Sequence, residues 1–290
     1  MSDIVRDRRL TPARPDLAAA FLRGAVEAAH YVEGARREIA VGIADMKNAP
    51  APDAPLDTQA LRGEIVTVYE DHEGYAWSQL ERDGYVGYLP AAALAPVGPV
   101  PTHRVAVRRT FVYPGPNMKL PPLAVLPFGA CVAVAGQRDA FAILADGGAV
   151  FAAHVADVTT RAGDFVAVAE SFMGAPYLWG GRTPDGLDCS GLVQTALTAA
   201  GIACPRDTDM QERALGQPLD LSGGMPELRR GDLVFWRGHV GIMRDGYRLL
   251  HANGFHMLVE SEPFAAARER IAKNSFGAIT SIRRCEIAAS

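Results

Sequence analysis

The stretch "GGRTPDGLDCSGLVQTALTAAGI", residues 180–202, sets Cys189 between an aspartate and a Ser-Gly pair at the head of an apolar pattern. Cys189, Leu192, Val193, Ala196, Leu197 and Ala200 recur at helical spacing. Asp188 is a good N-cap and Gly201 a good C′ stop, so the spacing predicts an amphipathic helix with Cys189 in its first turn. A helix N-terminus carries roughly +0.5 of an elementary charge, which favours thiolate over thiol. Its free N–H groups can hold the oxyanion formed when a carbonyl is attacked. Both properties suit a nucleophile. On the helix alone, Cys189 is equally well the first residue of the apolar stripe.

Two histidines bear on that choice. "RGDLVFWRGHVGIMRDGYRLLHANG" reads as a strand at Asp232–Trp236, then "HVGIM", a turn at Arg244-Asp245-Gly246, and "YRLLHA". A two-residue turn would pair 240 with 251 and turn His239 to the other face. A three-residue loop with Gly246 left-handed pairs 239 with 251. His239 and His251 then lie side by side, with Cβ atoms about 4.5–5.5 Å apart. A base and a group to orient it are what a thiol nucleophile requires.

The elements that must position these residues occupy the last part of the chain. The 290 residues suit two or three small domains better than one core. Residues 1–30 read as a lead-in with a short helix near Asp16–Ala29. "NAPAPDAP" from Asn48 is a proline-rich loop. "EIVTVYEDHEGYAWSQLERDGYVGYLP" reads as three short strands with turns at His72-Glu73-Gly74 and Arg82-Asp83-Gly84. After "APVGPVPTH" a second stretch repeats short apolar strands split by Gly and Pro. Two small β-barrels in tandem are expected, at 31–98 and 102–158. Near Thr160 the pattern becomes helical, with Phe165, Val166, Ala169 and Phe172, and a mixed helix-and-strand domain covers 160–290.

Composition narrows the partners. The formal net charge is −4 and the basic residues are scattered, so no nucleic-acid partner is expected. No apolar run approaches a membrane span. No signal peptide is visible, so a cytoplasmic location is expected unless a leader was trimmed or an unusual export route is used. The other cysteines, Cys131, Cys204 and Cys285, form no C-x-x-C pair and read as small buried residues. A metal held by Cys189 and the two histidines would need a fourth ligand or water, and the helix-terminus setting favours catalysis.

"APYLWGG", "DCSGLV", "RGDLVFW", "HVGIM" and "HANG", in this order, resemble the consecutive motifs of NlpC/P60 cysteine peptidases, bacterial enzymes that hydrolyse cell-wall peptides. The resemblance implies an α+β fold: a papain-like catalytic domain, here preceded by two SH3-like barrels. It implies Cys189 as nucleophile, His239 as base, His251 as orienting residue, and no metal or organic cofactor. It also implies a murein stem peptide as substrate, cut between γ-D-glutamate and a diamino acid. Tyr177 of "APYLWGG" is expected beside the nucleophile, or simply packed on Trp179. Asp207 of "PRDTDMQ" either meets substrate or caps the segment after it. Ser190 is expected near substrate as a helix-terminus hydrogen-bonder, not a nucleophile.

A small released peptide, as in murein recycling, would carry a free N-terminal L-alanine amine, and an ammonium taken from water needs a carboxylate partner. Asp207 is the first choice. Glu64 of "RGEIV" and Tyr85 or Tyr88 of "DGYVGY" are further choices if the first barrel closes the cleft. Glu64 is otherwise an exposed strand-end charge. Competing functions are an exported hydrolase of intact wall, a non-catalytic wall-binding protein, and an acyl transferase acting on lipid.

Overall fold

The computed structural model describes residues 7–285. They form two compact units divided between Val158 and Thr159.

In the first unit the expected helix near Asp16–Ala29 is not formed. Leu17–Ala19 is a strand paired in parallel with His30–Val32, and Ala20–Leu22 is one 3-10 turn. Leu17 and Ala19 are two apart and bury together against Tyr69, Trp77 and Val86. That period-2 packing overrides the helical propensity of the alanine-rich run. Strands between residues 35 and 95 make a seven-stranded antiparallel sheet, ordered 56–61, 43–47, 86–90, 75–80, 65–72, 35–39, 94–95. The proline-rich loop joins its first two strands. The Glu73-Gly74 turn has positive φ at both residues, 49° and 82°, which suits a tight hairpin between twisted strands. Residues 103–157 supply eight short strands in sheets of three, two and three. Val105, Leu126, Val132, Leu144 and Val150 form their core, joined by Leu61 from the preceding stretch.

The second unit holds four helices: α1 (Phe165–Glu170), α2 (Cys189–Ala199), α3 (Thr208–Ala214) and α4 (Phe264–Asn274). Its sheet has β1 (Gln217–Pro218), β2 (Asp232–Trp236), β3 (His239–Met243), β4 (Arg248–Asn253), β5 (Leu258–Pro263) and β6 (Ile279–Arg284). The order is β1-β6-β2-β3-β4-β5, with every neighbour antiparallel. Helix α2 starts at Cys189 and stops at Gly201, whose φ of +80° is open to glycine at low cost. Ten of its eleven residues are buried, so it is a central helix rather than an amphipathic surface one. It packs on β3, β4 and α1. Helix α4 lies over Trp236, Met243, Leu249 and Ile282. His239 is the cross-strand partner of Trp236 and so shares that face.

Candidate active site

The two histidines share a face, though not in the expected register. Ile242 pairs with Leu250 and Met243 with Leu249, so His239 and His251 are diagonal rather than directly opposed. The loop is Asp245-Gly246-Tyr247, closed by Arg244 N–H donating to Arg248 O. Asp245 Oδ1 accepts from the Tyr247 and Arg248 amides, and Gly246 does not enter the left-handed region. The side-chain carboxylate, not the glycine, sets the turn. A shift of two residues preserves strand parity, so both imidazoles still face one way. His239 Nε2 lies 2.8 Å from His251 Nδ1, and His251 Nε2 lies 2.7 Å from Glu262 Oε1. Arg270 of α4 holds Glu262 with two bonds, at 2.5 and 2.6 Å.

The carboxylate decides the tautomers. Partial burial opposes ionisation of Glu262, but the Arg270 and His251 hydrogen bonds outweigh it and hold the pKa near 2. Ionised Glu262 can only accept, so His251 Nε2 carries the proton. Burial keeps His251 neutral against the pull of Glu262, so its Nδ1 is an acceptor. His239 must then donate through Nε2, which leaves its Nδ1 lone pair free. Burial, followed by His251 and Arg270, lowers His239 to about 3. Its side of the relay is therefore a neutral base.

Cys189 is 8% exposed. The Val240 amide is near enough to its sulfur to favour the thiolate, which places Cys189 beside the residue that follows His239, and the sulfur lies 3.8 Å from Thr208 Oγ1. The expected lowering of its pKa does not prevail. Burial and then the charge of Asp188 push the thiol up to about 11, against partial help from Thr208 and Val240. The resting pair is a neutral thiol and a neutral imidazole, not a thiolate and an imidazolium. Beneath the thiol, Asp188 Oδ1 caps α2 through the Gly191 amide at 2.6 Å. Its other partners are the Gly180 amide, Ser190 Oγ and, with two bonds, Arg206. The amides of Cys189 and Ser190 precede the first intrahelical bond, from Leu192 N–H to Asp188 O. A thiol, a neutral base and a helix N-terminus together can perform nucleophilic attack on an acyl carbon.

The other expected residues divide. Tyr177 is near the thiol: burial, then Cys189 and Asp188, raise its phenol. Trp179, two residues on, is 68% exposed. Asp207 stands at the N-cap of α3 yet makes no side-chain capping bond. Ser190 Oγ donates to Asp188 and accepts from Arg206, so its hydroxyl braces the helix start. Tyr85, just before the strand 86–90, is packed in the core with Leu80 and Leu89. Glu64 is neither an exposed charge nor an open ligand: it accepts from the Leu61 amide and from Arg82. Among the described residues no group of three or more His, Cys, Asp or Glu could hold a metal ion.

Glu262, Arg270 and Arg206 escaped the sequence reading. Glu262 is diagonal to His251 on the next strand, since His251 pairs with Glu260. An acidic residue alternating inward in "LVESEP" is a detectable signal once β5 is placed beside β4. Arg206 lay within the quoted "PRDTDMQ", but nothing in one sequence announces a fully buried arginine.

The NlpC/P60 family model matches residues 174–271, and the model of the bacterial dipeptidyl-peptidase SH3 domain matches residues 46–94. The chain is 30% identical over 227 residues to the gamma-D-glutamyl-L-lysine dipeptidyl-peptidase of Bacillus subtilis, spanning 69% of this chain and 73% of that protein. It is 29% identical over 213 residues to the Bacillus cereus protein of the same name, spanning 64% and 61%. The crystal structure of an NlpC/P60 family protein from Bacillus cereus shares the fold, with a TM-score of 0.69 at 20% identity over 86% of this chain and 99% of that one. The chain belongs to the NlpC/P60 family of cysteine peptidases.

Proposed function

We propose that the protein hydrolyses free murein stem peptides at the bond between γ-D-glutamate and a diamino acid, releasing L-Ala-γ-D-Glu, with Cys189, His239 and His251 as its catalytic residues. The relay from His239 through His251 to Glu262, with the Cys189 thiol beside Val240, the residue that follows His239, carries this reading. The names of the Bacillus relatives, gamma-D-glutamyl-L-lysine dipeptidyl-peptidases, support the bond and the release of a dipeptide.

His239 Nδ1 takes the Cys189 proton as sulfur bonds to the acyl carbon. Amides at the start of α2 receive the oxyanion. The tetrahedral species collapses, the C–N bond breaks, and His239 gives its proton to the leaving amine. A water then loses a proton to His239, attacks the thioester carbonyl and releases the γ-glutamyl carboxylate, and the sulfur recovers its proton. Throughout, His251 holds His239 in the tautomer with Nδ1 free, and ionised Glu262 favours the transient imidazolium. Asp207, at the N-cap position of α3, is the proposed partner of the substrate ammonium, with Tyr177 beside the acyl group. Residues 102–158 read as a second SH3-like module.

The test is product analysis by mass spectrometry of L-Ala-γ-D-Glu-L-Lys and its meso-diaminopimelate counterpart, free and N-acetylated, beside intact wall polymer. Release of L-Ala-γ-D-Glu from the free peptides is expected. Acetylation is expected to lower kcat/KM by 100-fold or more, on the order of 3 kcal/mol for an unpaired buried charge. Equal rates on both forms, or efficient digestion of the polymer, would refute the proposed specificity.

A further inference from the structure

Phe276 lies beyond the segment matched by the NlpC/P60 model, on the loop between α4 and β6. Its ring stacks on His239, with centroids 5.1 Å apart and planes within 6°. Two other rings touch the same imidazole: Trp236 at 5.7 Å and 42°, and His251 at 5.1 Å and 64°. Those two are buried, whereas Phe276 is 40% exposed. Phe276 is therefore the wall between His239 and solvent, and His239 itself remains only 3% exposed.

The loop is held on both sides. The Ser275 and Phe276 amides donate to Ile271 O, at 3.2 and 3.1 Å, closing the end of α4. Beyond the loop, Ile279 pairs with Trp236 across a bulge at Thr280 of β6. The ring also runs close to the turn that delivers His239: a Cβ on Gly238 would stand 4.0 Å from it.

Resting on the proposed pairing of Cys189 with His239, we propose that Phe276 is a positioning residue that fixes the plane of the His239 ring and keeps water from its outer face. The bond from Nε2 to His251 restrains one atom of the imidazole but not its rotation about that contact. A flat wall at stacking distance removes the rotation and aims Nδ1 at the thiol. A branched aliphatic side chain would cover the ring without aligning it. The charged and titratable groups acting on His239 are His251 of β4, Glu262 of β5 and Arg270 of α4, and Cys189 at the start of α2 is the proposed proton donor. With the wall gone, water reaches the imidazole and its protonation becomes easier, so the acid limit of activity moves up.

The experiment uses the full chain with F276Y, F276L, F276A and H239A, and C189A as the blank. It measures alkylation of Cys189 by iodoacetamide against pH, which needs no peptide substrate, together with kcat and KM on the free tripeptide. F276Y is expected to stay within about twofold of wild type, because a ring remains. F276L and F276A are expected to lose about tenfold in kcat at nearly unchanged KM, the scale of one aromatic pair. Their alkylation profiles are expected to shift at the acid limb by about one pH unit upward, as burial of His239 is relieved. Wild-type kcat and acid limb in F276L, or a loss confined to KM, would overturn the role of Phe276 while leaving the pairing intact. If H239A alkylates at Cys189 like wild type, the pairing itself fails and this role with it.

Discussion

Replacing Glu262 by Gln keeps volume and removes one charge at the far end of the relay. Its Oε1 is 2.7 Å from His251, whose other nitrogen is 2.8 Å from His239. With the intervening imidazole, the carboxylate stands roughly 7 Å from His239, and at an effective dielectric near 20 the lost attraction to the imidazolium is about 2 kcal/mol. That corresponds to a fall in kcat of roughly 30-fold. A second effect adds to it. Arg270 offers only donors, so the new amide turns its oxygen to Arg270 and its NH2 to His251. His251 must then accept at Nε2 and donate at Nδ1, which forces the His239 proton onto Nδ1, the atom that should receive the thiol proton. Loss of the correct tautomer can bring the total to about ten-thousand-fold. The assay is kcat and KM on the free tripeptide, with thermal unfolding as a control, in wild type, E262Q, H251A and the double variant. KM should change little. Because Glu262 acts through His251, E262Q should cost almost nothing in the H251A background. A folded E262Q with kcat within threefold of wild type would refute the relay, and so would additivity of the two losses.

C189A is expected to abolish turnover while leaving the fold intact, whereas C204A and C285A retain most activity; rates on the tripeptide decide. Removing Arg206 leaves the Asp188 carboxylate under α2 without its buried cation, so R206M should lower stability by about 3–5 kcal/mol and misplace the thiol. Urea unfolding and Cys189 alkylation would show it, and an R206M protein of wild-type stability would contradict it. The His239 pKa is near 3 in the folded chain and near 6.5 when unfolded, so between those values the unfolded state binds more protons. Stability should therefore fall as pH drops below 6.5, by about 3 kcal/mol between pH 7 and pH 4. Glu262 adds a loss of the same sign as pH falls from 4.5 towards 2. Urea midpoints of the transition that carries Trp236 test this, and equal midpoints at pH 7 and 4 would count against a buried neutral His239. The same depressed pKa places the acid limb of kcat/KM well below the ordinary histidine range.

Local signals reached far in this chain because they depend on neighbours in sequence. Asp188 before an apolar repeat and Gly201 after it delimit α2 within one residue, and with it the place of Cys189. Strand parity put His239 and His251 on one face even though the loop was misread, since an error of two residues leaves the face unchanged. The lead-in shows the limit of propensity: an alanine-rich run became a strand because Leu17 and Ala19 found an apolar surface made by residues fifty or more positions away. Charge states were decided only by the tertiary structure. The same helix terminus that should lower a thiol holds one raised to about 11, because desolvation by the surrounding core and then the charge of Asp188 prevail. Glu262, Arg270, Arg206 and Phe276 reach the site across strand, helix and loop boundaries. Hydrogen-bond partners and ring contacts of that kind are set by how elements pack, and no periodicity along the chain encodes them.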